Sequence, residues 1–131
     1  MTTGPVIEFN GYRIEEIEYK TINDINKSTF SIEPDLSFEF GLSKDMDEGV
    51  VKISVSLLDE SNLRTIFLKV LGQFSIPNDI EKEKIELYLA QNGSAMLFPY
   101  VRSIISVLTT LDGPSAVVLP TVNILEELKK K

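Results

Sequence analysis

Four acidic pairs, Glu15/Glu16, Asp45/Asp47, Asp59/Glu60 and Glu126/Glu127, are the residues of this 131-residue chain that come nearest to chemistry. Paired carboxylates do acid–base work when their surroundings push their pKa values apart, and they hold hard cations when several oxygens converge. No pair here has that supporting pattern. The stretch "DMDEG" superficially resembles a calcium loop, but it lacks the residue pattern and the distant bidentate glutamate, and a turn is the plainer reading. Ser94, Ser103 and Ser106 have no histidine to activate them, because the chain contains none. It contains no cysteine either, which removes a disulfide framework, a thiolate zinc site and a cysteine nucleophile together. Glycines 41, 49, 72, 93 and 113 are scattered, and none sits in the strand–glycine–helix arrangement that cradles phosphate. Enzymatic activity, a metal and a cofactor are therefore not expected.

Charge narrows the partners. Thirteen basic against twenty acidic residues give a net charge of −7, which repels phosphate backbones and anionic lipid. The basic cluster Lys129, Lys130 and Lys131 complements the carboxyl end of a last helix better than it suits nucleic acid. The amino end "MTTGPVIEFNGYRIEE" has no signal-peptide pattern, and no apolar run approaches the roughly 20 residues that span a bilayer. The expected location is the cytoplasm, with neither nucleic acid nor membrane insertion.

The elements that would position any site change character once. Up to Ile76 the apolar period is mostly two, and beyond Pro77 it is helical. In "YRIEEIEYK", Tyr12 and Ile14 fall on one parity and Ile17 and Tyr19 on the other, which a bulge near Glu15 and Glu16 would explain. "LSFEFGL" puts Leu36, Phe38, Phe40 and Leu42 on one dry face, and "VVKISVSLL" does the same with Val51, Ile53, Val55 and Leu57. "LRTIFLKVLGQFSI" is apolar on both parities, so this fourth strand is expected to be buried on both sides or to meet another subunit. Short polar connections, "SKDMDEG" and "DESN", suit hairpins. An antiparallel meander of about four strands follows.

After it, "IEKEKIELYLAQNG" predicts a short amphipathic helix with Ile80, Lys84, Leu87 and Tyr88 near one stripe, capped by Asn78 or Asp79 and stopped by Asn92-Gly93. Ser94 is expected to cap a longer helix to about Leu111, whose apolar stripe is Leu97, Val101, Ile104, Ile105, Leu108 and Leu111. Pro99 lies inside it, at a position that costs about 3 kcal/mol in a helix interior. "LDGPSAVVLPT" then crosses over extended, because Gly113-Pro114 and Leu119-Pro120 both oppose helix. Asn123 with Glu126 has a capping-box spacing and opens a short last helix. The fold class is α+β, and residues 1–131 form a single domain.

Apolar surface exceeds what one sheet face and its helices can hide. Either the excess is a dimer interface, or it forms a groove for extended apolar polypeptide, and both can hold for one protein.

These residues carry a resemblance. Phe74, Ser75 and Ile76 end the fourth strand. Leu97, Phe98, Pro99, Tyr100 and Arg102 lie in the long helix, and Leu119, Pro120, Val122 and Asn123 lead into the last one. Their order and spacing resemble the carboxyl half of the SecB family of protein-export chaperones. The resemblance implies four antiparallel strands, a long helix, a crossover loop and a second helix, assembled as a dimer of dimers with the long helices between two sheets. It also implies an ATP-independent holdase for unfolded or slowly folding clients. On that reading Phe38, Phe40, Val117, Val118, Leu119, Ile124 and Leu125 are the expected client contacts, and Pro99 lies in the first turns of its helix.

The chain departs from family members that deliver to the motor ATPase SecA. Those resemble one another in acidic residues near the end of the first strand and in a polar tail. Here Glu18 and Asp24 do not fall clearly on those positions and the tail is only "KKK". SecA docking, a dedicated antitoxin client, and a plain oligomeric interaction module are the alternatives left standing.

Overall fold

The computed structural model describes residues 7–112 and 117–130. Four strands form an antiparallel sheet: β1 (Glu8–Thr21), β2 (Asp35–Leu42), β3 (Glu48–Asp59) and β4 (Arg64–Ser75). Gly113, Pro114 and Lys131, all part of the sequence reading, lie outside the described residues.

The strand order is β1-β4-β3-β2, which corrects the expected meander. β2, β3 and β4 follow one another, but β1 pairs with β4 instead of β2. The strand that is apolar on both parities is the reason, since an interior place hides more of it than an edge would. Its even-numbered side chains, Ile66, Leu68 and Val70, are buried under the helices, while Phe67 and Leu71 on the other face are half-buried. The segment between β1 and β2 makes the reversal possible by crossing past the β3–β4 turn. There Ile22 N–H donates to the Leu63 carbonyl at 2.8 Å, and Leu58 N–H donates to the Ser31 carbonyl at 2.9 Å.

The bulge in β1 is where the parity slip placed it. Register shifts between Ile14 and Glu16, so that Ile14 pairs with Val70 and Ile17 with Leu68, on the same helix-facing side. A second shift lies between Phe9 and Gly11. One extra residue turns a mismatched pattern into one continuous apolar face.

The helical half differs from expectation. α1 (Lys82–Tyr88), a π-helical turn (Leu89–Gly93) and α2 (Ser94–Leu111) join without a break into one helix, Lys82–Leu111. Neither Asn78 nor Asp79 caps it: Glu81 holds the N-cap position without a side-chain bond. Ile85 is the buried residue of α1, whereas Leu87 is exposed. Gly93 does not stop the helix, because close approach and not chain reversal is what it supplies. A Cβ there would meet Val51 Cγ2 at 2.9 Å. Ser94 has helical neighbours on both sides and caps nothing, and Pro99 falls deep inside the helix, well past its first turns. By length and composition alone this helix could cross a bilayer, but Leu97, Val101 and Ile105 form a stripe buried against the sheet.

α3 (Ile124–Lys129) begins as its spacing predicts, with Asn123 Oδ1 accepting from Glu126 N–H at 3.2 Å. The core lies between the helix-facing side of the sheet and α2, with Val51, Ile53, Leu68 and Val70 facing Leu97, Val101 and Ile105.

Candidate binding groove

Two concavities open beside the edge strand β2. The first, about 320 Å³, runs between the segment entering β2, the start of α2 and the residues before α3. Its walls are Glu33, Pro34 and Leu36 on one side and Leu119, Pro120 and Val122 on the other, with Phe98 between them. Glu127 and Lys130 of the last helix stand at its rim and pair at 3.3 Å. The second, about 400 Å³, lies at the other end of β2, where Phe40 and Leu42 face Leu89 and Ala90 of the long helix. Leu36, Phe38, Phe40 and Leu42 share the helix-facing side of β2, so one apolar wall links the two.

The expected client residues divide. Phe40, Val118 and Leu125 are exposed, Val118 at 68 %. Phe38, Val117 and Ile124 are half-buried against the core. Leu119, at 1 %, is part of the core and forms the groove's floor. Four of the seven therefore offer little or only partial surface from the protomer alone, and Phe40 with Val118 is the accessible pair of the strand and the crossover.

The motif residues have structural jobs. Phe74 packs on Phe9 with ring centroids 5.3 Å apart. Leu97 is fully buried and Phe98 nearly so. Pro99 is exposed. Tyr100 stacks on Phe9 at 5.4 Å and touches Tyr12 at 4.8 Å, fixing α2 alongside β1. Arg102 Nε donates to the Leu119 carbonyl at 3.2 Å, pinning the crossover to α2. Pro120 is exposed on the groove wall, and Asn123 caps α3.

Sequence reasoning missed Arg64. It is 1 % exposed at the start of β4, and it gathers partners from β1, β3 and the end of α2. Its Nε donates to Asp59 Oδ2 at 2.7 Å, and Asn62 Nδ2 donates to the same oxygen at 2.9 Å. Its Nη1 donates to the Tyr19 hydroxyl at 2.9 Å and to the Asp112 carbonyl at 2.8 Å, with the Thr109 carbonyl at 3.3 Å. Tyr19 completes the ring by donating to Asp112 Oδ2 at 2.6 Å. A guanidinium here meets carbonyls at the carboxyl end of a helix, where its charge complements the dipole. Burial pushes the Tyr19 phenol up, and the bond it gives Asp112 adds to this, against the opposing pull of Arg64. Burial alone would raise the Asp59 carboxyl, but the hydrogen bonds from Asn62 and Arg64, with Arg64's charge, outweigh it and hold the group below the usual carboxylate range. Of the two acids expected near the end of β1, Glu18 pairs with Lys20 at 3.6 Å and Asp24 accepts from Asn26 N–H.

An apolar strip flanks the groove's helix on its other side. Tyr12, Ile14 and Ile17 of β1 and Tyr100, Val107 and Leu111 of α2 are all exposed, Val107 at 58 % and Leu111 at 79 %. The two elements run alongside each other from the Tyr12–Tyr100 contact to the Tyr19–Asp112 bond. Among the described residues, no group of three or more acidic, histidine or cysteine side chains gathers as it would around a metal.

The family model described as preprotein translocase subunit SecB matches residues 12–128. An uncharacterised protein of Methanocaldococcus jannaschii is 23 % identical over 138 residues, which cover 95 % of this chain and 88 % of that one. Among solved structures, a SecB-like chaperone of Mycobacterium tuberculosis, in complex with a peptide from an antitoxin, superposes with a TM-score of 0.71. That match is 15 % identical and covers 90 % of this chain and 88 % of that one. A Streptococcus agalactiae protein of unknown function gives 0.57 at 14 % identity, covering 91 % of this chain and all of that one.

Proposed function

The chain belongs to the SecB family of chaperones, and from that premise we propose that it is a holdase that keeps extended apolar segments of unfolded clients in the grooves beside β2, without nucleotide. The observation that carries this reading is the apolar wall of β2 and the crossover, with Leu36, Leu119 and Val122 lining one concavity, Phe40 lining the other, and Val118 exposed on the same crossover. Aliphatic and aromatic walls reward any apolar side chain without demanding a sequence. Repeated weak sites on an oligomer then add by avidity.

The working assembly on this reading is a cytoplasmic homotetramer, a dimer of dimers. The exposed strip of β1 and α2 supports it, because an apolar patch of that extent flanking a core helix is otherwise a liability in water. The protein has no catalytic role in this scheme.

Client range is the open choice. A dedicated client is favoured by the fold's likeness to a SecB-like chaperone solved with an antitoxin peptide. A SecA route is less supported, since Glu18 and Asp24 are engaged locally. The test is whether the purified protein, without nucleotide, stops a chemically unfolded protein from aggregating, with complex mass read by light scattering. Suppression with a mass near one tetramer plus one client supports a general holdase. A well-folded tetramer that binds a hydrophobic dye but suppresses nothing points to a dedicated client. One that does neither rejects the holdase reading in favour of an interaction module.

A further inference from the structure

The groove has one wall built from a strand and one built from the crossover, and the crossover has little regular structure of its own between Val117 and Asn123. Something else must hold it. Arg102 fixes Leu119 by its carbonyl, and Thr109 Oγ1 accepts from Val117 N–H at 2.8 Å. Thr109 belongs to the last turn of α2, and that turn is itself fastened. Arg64 reaches the carbonyls of Thr109 and Asp112, and Tyr19 reaches the Asp112 carboxylate. A chain of bonds thus runs from β4 and β1, through the end of α2, to Val117, the first described residue of the crossover that supplies the groove's second wall.

We propose that the Arg64–Tyr19–Asp112 cluster is a latch that positions the crossover wall of the groove, so that loosening it weakens client binding while the sheet stays folded. This rests on the chaperone reading for its consequence but not for its geometry. Arg64 fits the task because a planar guanidinium can hold several acceptors in fixed directions at once, which a lysine cannot. Tyr19 fits because its hydroxyl accepts from Arg64 and donates to Asp112, linking the two. Neither residue lines the groove, so they act as positioning residues and not as client contacts.

Removing Arg64 threatens folding, so Tyr19→Phe and Asp112→Ala are the test variants. Amide hydrogen exchange at Val117 is compared with that at Ile53 in β3, and binding of a fluorescent peptide of alternating leucine and serine is measured by anisotropy. Losing a charge-assisted hydrogen bond should speed Val117 exchange by about tenfold or more while Ile53 is unchanged. Peptide affinity should fall by about threefold or more, because the competent wall position is populated less. Unchanged exchange at Val117 overturns the latch. Faster exchange with undiminished affinity overturns its role in binding, and equal acceleration at Val117 and Ile53 reduces the cluster to a stabiliser of the whole fold. A wild-type chain that binds no peptide overturns the general-holdase reading instead, and the exchange comparison still decides the latch.

Discussion

Ser94 is fully buried in the long helix, and its hydroxyl finds no partner among the described residues. A buried polar group in that condition costs about 1–3 kcal/mol. Ser94→Ala removes the group and suits a helix, so urea denaturation should show a gain of about 1 kcal/mol. Asp59 gives the opposite kind of prediction. Its carboxyl titrates below its unfolded value of about 3.9, so it contributes stability above that pH and loses it as pH falls through the lower folded value. The wild type should weaken faster than Asp59→Asn between about pH 4 and the folded value, with the two curves converging at the acid end. A parallel descent of the two would show that Asp59 is not the group responsible. Arg64, the centre of this cluster, was not legible in the sequence. It stands in a polar hairpin segment, "DESNLR", while its other partners Tyr19 and Asp112 lie 45 and 48 residues away, beyond any local pattern.

Elements were legible where their signal is periodic. Alternation placed β2 and β3, and the parity slip placed the bulge of β1, because a two-residue period reports directly on which face is dry. The helix boundary at Asn92-Gly93 failed for a physical reason: the same missing Cβ that suits a helix stop also suits a helix pressed against a strand. Gly93→Ala should therefore destabilise. Its Cβ would meet Val51 Cγ2 at 2.9 Å, and overpacking of about 1–3 kcal/mol exceeds the helix propensity gained, about 0.5–1 kcal/mol. A net stabilisation in chemical denaturation would mean that Val51 gives way freely. Pro99 tests the opposite assumption, that a helix breaker in the family motif serves clients directly. Pro99 is exposed and is not among the residues lining the groove beside Phe98, which favours a part in shaping the helix over direct client contact. Pro99→Ala should gain stability, by less than the roughly 3 kcal/mol of an unadapted helix interior, and leave aggregation suppression unchanged. Weaker suppression from an intact assembly would return Pro99 to the client path.

The order of strands was beyond the sequence because hairpin-length turns argue for neighbours only where they exist, and the segment from Ile22 to Pro34 is too long to specify a partner for β1. The both-sides-apolar pattern of β4 was the available clue, and it points to an interior place or a subunit contact without choosing. The whole molecule retains that ambiguity in its surface, where two exposed apolar regions lie on different sides of α2. One is the strip of Tyr12, Ile14, Ile17, Tyr100 and Val107; the other is the crossover at Val118 with the groove behind it. If the strip joins copies and the groove takes clients, a charge in each should fail differently. Val107→Asp should shift the assembly to a smaller species by sedimentation, because an unpaired carboxylate in a dry interface costs several kcal/mol. Val118→Asp should leave the assembly whole and reduce client holding, since Val118 stands exposed on the crossover beside the groove and stays solvated until a client covers it. Binding per protomer in the Val107→Asp variant should survive at single-site strength, with the avidity of linked sites gone. Exchanged phenotypes, with Val118→Asp dissociating the assembly and Val107→Asp losing clients, would reverse the two assignments and put the client path on β1 and α2.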